Sequence, residues 1–149
     1  MSEFESILEK SLKGVSSGFQ RAVEDLNEVV ESLDQAVQKA LQPKRSRLRL
    51  EPIHESAVAT VFRLDLTVWE IPNRPPPPRG ISVGEYHLGP NGYPIKAGSW
   101  DSRQDSFSVA VTIINKSGLE KHFKEMLANA SSPLVTEVAF HVRRQKTPA

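Results

Sequence analysis

Cysteine is absent from all 149 residues. That removes a disulfide frame, thiolate nucleophiles and Cys-ligated zinc. Long apolar runs are missing too, with no stretch near the ~18–20 residues a membrane helix needs. The opening Met1-Ser2-Glu3 does not begin as a signal peptide does, so a cytoplasmic protein is expected. The chain holds no G-x-S-x-G elbow, no Gly-rich phosphate loop and no H-E-x-x-H helix, the short motifs that mark common catalytic sites. Carboxylates at a telling spacing are also lacking. His54, His87, His122 and His141 stand at no HxH or HxxxH spacing, so neither a metal site nor a cofactor is expected. These absences point away from an enzyme.

What the chain does have is a long helical pattern over its first forty-two residues. Leu8, Val15, Ala22, Val29 and Ala36 fall seven apart, and so do Leu12, Phe19, Leu26, Leu33 and Ala40. That is a heptad seam, which keeps one stripe turned toward a partner. Val23, Val30 and Val37 add a second register on the same Leu26, Leu33 and Ala40 row. Two seams make a wide apolar face, and such a helix is longer than a small domain can cover. The residues expected to join subunits or dock a partner are Phe19, Val23, Leu26, Val29, Val30, Leu33 and Val37. Gly14-Val15-Ser16-Ser17-Gly18 weakens the helix by roughly 2–3 kcal/mol against alanines. Ser17 and Gln20 also form a capping box, so a break is expected there.

The remaining residues predict an α+β body from 43 to 149, attached to the 1–42 helical arm. Pro43 ends the helix. Lys44 to Leu50 alternates polar with apolar, a first strand, and Pro52 to Ser56 reads as a turn. Ala57 to Ile71 is a second strand with Phe62, Leu64, Leu66 and Val68 inward. Pro72 to Gly98 reads as a long irregular loop, with five prolines among its first nine residues and short strand pieces at Ile81–Val83 and Glu85–Leu88. An edge strand over Lys96–Ser102 and a strand over Ser106–Asn115 follow, the latter with Phe107, Val109, Val111 and Ile113 inward. Ser117 with Glu120 predicts the cap of a further helix, and Leu134–Arg144 reads as a last strand with Val138, Phe140 and Val142 inward. The sum is a mainly antiparallel sheet of four or five strands with one further helix before the last strand.

Charge is divided unevenly along this plan. The arm carries eight acidic residues against four basic ones, while the rest of the chain holds 15 of the 19 basic and 10 of the 18 acidic residues. Lys44, Arg45, Arg47 and Arg49 open the first strand, and Arg143 and Arg144 close the last. Were those strands antiparallel neighbours, their ends would form one patch able to neutralise phosphates. The long loop offers Pro76, Arg79, Tyr86, Tyr93 and Trp100 as a recognition surface. Three functions follow in order of preference. The first is a non-catalytic adaptor or assembly protein that self-associates or docks a protein partner through its helix. The second is a nucleic-acid-associated protein, and the third a small enzyme or ligand binder with a site under the loop.

Overall fold

The computed structural model of the chain describes residues 2–69, 80–101, 103–104 and 106–146. Eight elements follow one another: α1 (Glu3–Leu41), β1 (Arg45–Glu55), β2 (Thr60–Trp69), β3 (Ile81–Gly89), β4 (Gly92–Asp101), β5 (Ser106–Ile113), α2 (Lys116–Ala128) and α3 (Pro133–Lys146). The strands form one antiparallel meander in the order β1-β2-β3-β4-β5. The fold is α+β, with all three helices contributing to one core on the sheet.

α1 runs through Gly14–Gly18 without the expected break. Its start is fixed by Ser2, whose Oγ accepts the Glu5 backbone N–H at 3.1 Å. Tertiary packing explains the second of the two glycines. A Cβ on Gly18 would lie 2.7 Å from the carbonyl oxygen of Asn91, in the turn between β3 and β4. Gly92 in that turn has φ +86°, a backbone that favours glycine, and a Cβ there would meet the Ala22 methyl at 2.6 Å. Gly18, Ala22 and Gly92 thus let helix and hairpin approach more closely than larger side chains allow.

Beyond this crossing α1 belongs to the body. Ala22, Leu26, Val30, Leu33, Val37 and Leu41 are buried in one cluster with Leu48, Leu64, Leu66, Tyr86, Leu88 and Ile95 of the sheet. The boundary expected at residue 42 therefore separates no two units. Acidic residues fasten the helix: Asp25 accepts from Tyr93 Oη at 2.9 Å, and Glu28 from Lys116 Nζ at 2.9 Å. Asp34 accepts the Leu48 backbone N–H at 2.7 Å, occupying a donor of the β1 edge that would otherwise invite another strand.

The proline-rich stretch falls on residues 70–79, outside the described residues, but the rest of the expected loop is ordered sheet. Ile81 to Asp101 is a hairpin whose turn is Gly89-Pro90-Asn91-Gly92, and β4 lies inside the sheet with β5 at its edge. The inward set expected on β5 is also corrected. A register shift between Ala97 and Gly98 turns Val109 to the opposite face from Ile113, so Ile113 is buried and Val109 exposed, while Val111 shares the face of Ile113 but stays exposed on the edge strand.

The segment expected as a last strand is α3. Ser132 Oγ accepts from the Val135 N–H at 3.3 Å and donates to Met126 O at 2.9 Å, and Pro133 occupies the first helical position, where its missing N–H costs nothing. Buried Leu134 and half-buried Val138 and Val142 recur every four residues, a helical period. Phe140, which completed the strand alternation, is exposed. Asn115 rather than Ser117 caps α2, its Oδ1 accepting from Gly118 N at 2.8 Å.

Candidate interaction surface on the overhanging helix

Every residue from 2 to 14 is exposed, and burial of α1 begins only at half-buried Val15. The helix therefore overhangs the body by about 18 Å over residues 3–14. This overhang is apolar along one stripe: Phe4 is 86% exposed, Ile7 57%, Leu8 58% and Leu12 59%. The spacing i, i+3, i+4, i+8 puts all four on one side of a helix. Leu8 shares its row with Ala22, and Leu12 shares its row with Leu26 and Leu33, seven residues apart. Since Ala22, Leu26 and Leu33 are buried, the exposed stripe continues the core-facing side of α1 past the end of the sheet.

The residues expected to meet a partner lie elsewhere on this helix and are used at home. Leu26, Val30, Leu33 and Val37 are buried in the chain's own core, and Phe19, Val23 and Val29 pack half-buried against it. Both seams of the second half of α1 face the body, because the sheet is overlaid by α2 and α3 as well. The exposed apolar surface is displaced to the first three turns. Leu8 and Leu12 belong to the heptad rows, and the Ser2–Glu5 spacing of a capping box is the sequence signal that begins the helix ahead of Phe4.

Lys44 and the basic end of α3 come together by a route the strand reading missed. Lys44 Nζ donates to the carbonyl oxygen of His141 at 3.1 Å, which brings the last turns of α3, with Arg143 and Arg144, beside the start of β1. Arg45, Arg47 and Arg49 alternate with buried Ser46 and Leu48 and so lie on the sheet face away from the helices. There Arg45 stacks over Trp69, 4.7 Å from its ring centroid, and Arg49 Nε lies 3.6 Å from Glu51. Arg63 pairs with buried Asp65 at 2.8 Å, and the two raise the guanidinium pKa through that hydrogen bond.

The expected loop surface is divided. Tyr86 is buried, and its Oη lies 3.1 Å from His122 Nε2. Burial pushes the phenol pKa up and the imidazole pKa down. Tyr93 is half-buried and tied to Asp25, burial and that carboxylate together raising its pKa. Trp100 is in β4; Pro76 and Arg79 lie outside the described residues. Beside Tyr86 and His122, Gly84, Gly98, Met126 and Pro133 line a groove of about 590 Å³. On the opposite face His87 stacks on Phe107 with centroids 3.7 Å apart, and its Nε2 is 3.7 Å from Glu85. Burial lowers the His87 pKa, and Glu85 opposes that shift.

Among the described residues, no three His, Asp or Glu side chains are grouped to hold a metal ion. No helix among the described residues is long and apolar enough to cross a membrane. Compared with known proteins, the chain matches no family model, no curated protein and no solved structure.

Proposed function

We propose that this chain is a non-catalytic assembly or adaptor protein whose docking element is the overhang of α1. The observation that carries this reading is the apolar stripe of Phe4, Ile7, Leu8 and Leu12. Four large side chains left in water on one face of a short helical segment are a costly arrangement unless something covers them. Their spacing is that of anchors in helix-mediated recognition. The body holds the segment out: Gly18 and Gly92 lock the crossing, and Asp25, Glu28 and Asp34 fasten the helix behind it.

The test is the full-length double variant Leu8→Asp/Leu12→Asp. It keeps the native circular dichroism spectrum and melting temperature of the monomer, because neither residue touches the core, and it loses association with itself or with a purified partner. An unfolded variant, or association unchanged in strength, overturns the reading.

A second reading is favoured by the Lys44–His141 contact, which brings the basic end of α3, with Arg143 and Arg144, beside Lys44 at the start of β1. Such a basic edge suits a polyanion. Its discriminating measurement is binding of single-stranded nucleic acid at two salt concentrations. Arg47→Glu/Arg144→Glu abolishes that binding on this reading and leaves helix-mediated association intact.

A further inference from the structure

We infer that the overhang of α1 is covered by the same segment of a second copy, lying antiparallel to it. The inference rests on the docking reading above and names the partner. Its first support is the order of charges. Going along the overhang, Glu3, Glu5 and Glu9 come first and Lys10 and Lys13 follow. Two parallel copies would lay acid beside acid and base beside base. Two antiparallel copies lay the acidic end of each beside the basic end of the other, the favourable pairing for helices side by side.

The second support is shape. The stripe faces the side of α1 on which the sheet lies farther along, and the sheet ends at the turn of Asn91 and Gly92. Beyond that turn the molecule has a step beneath the overhang. Helices pack side by side at about 8–10 Å, so a second helix can lie in the step against the stripe. A second copy turned over about a twofold axis fills it with its own overhang. Phe4, Ile7, Leu8 and Leu12 of each copy then pack on the same residues of the other. The arrangement is isologous and closed, so it stops at two copies. An overhang of about 18 Å forms a small interface, which sets a weak, reversible dimer.

The absence of cysteine makes the test clean, because a label enters at one chosen position only. Full-length Ser17→Cys carries a spin label at an exposed site just behind the overhang. Sedimentation shows a monomer–dimer equilibrium, and the labels in the dimer stand about 25–30 Å apart; a parallel pair would hold them at about 10–15 Å. Leu8→Asp weakens the dimer roughly a hundredfold, and Lys10→Glu/Lys13→Glu or 0.5 M salt weakens it severalfold. A short label distance, or a dimer strengthened by salt, overturns the antiparallel pairing. A chain that stays monomeric at all concentrations overturns self-pairing. The docking reading then stands or falls separately, on whether Leu8→Asp/Leu12→Asp abolishes association with a different purified protein.

Discussion

Gly14 and Gly18 look alike in sequence and are opposite in structure. A Cβ on Gly14 would meet nothing within 4 Å, while one on Gly18 would press on the Asn91 backbone. Gly14→Ala is therefore expected to stabilise the fold by up to ~1 kcal/mol through helix propensity. Gly18→Ala gains the same propensity but forces apart helix and turn, for a net loss of about 1–2 kcal/mol. Urea unfolding of the two variants checks the contrast. No sequence pattern separates these glycines, because the difference is one neighbouring carbonyl that comes from seventy residues away in the chain.

At the scale of elements, α1 shows how one amphipathic pattern serves two ends. Its heptad rows run unchanged from Leu8 to Leu33, and only the sheet beneath decides which part is core. Leu26→Ala is expected to cost about 3 kcal/mol, and Leu8→Ala less than ~0.5 kcal/mol of monomer stability, measured by denaturation at low protein concentration. The last element teaches the converse. Leu134 to Arg144 satisfies a strand alternation and a helical period at once, and Ser132 with Pro133 tips the balance by capping a helix. Ser132→Ala removes a bond to Val135 N and another to Met126 O, for an expected loss of ~1–2 kcal/mol in thermal unfolding.

For the whole molecule, acidity is the informative variable. His87 and His122 both have pKa values lowered first by burial, so the folded state prefers them neutral. The unfolded chain takes up their protons near the ordinary value of ~6.5. Stability from this source is therefore full above that pH and is lost as the pH falls through the lower folded values. Urea midpoints of the wild type are expected to decline from pH 7 to pH 5. In His122→Gln, which removes one of these two groups, the decline is shallower; an equal decline removes His122 from the account. The predicted dimer adds a second, separable dependence, because it weakens on dilution and with salt.

By itself the sequence determined the fold class, the long helix, most of the strands and the stripe along α1, since these follow from local periodicity and from turn residues such as Gly89-Pro90-Asn91-Gly92. It also carried the charge order of the overhang, which needs no fold to be read. Only the tertiary structure decided where that stripe is covered. Burial depends on which surfaces the meander and its two other helices bring under α1, and the heptad rows are the same on both sides of Gly18. The exposed part of the stripe thus lies ahead of that glycine, where the helix passes the turn of Asn91 and Gly92.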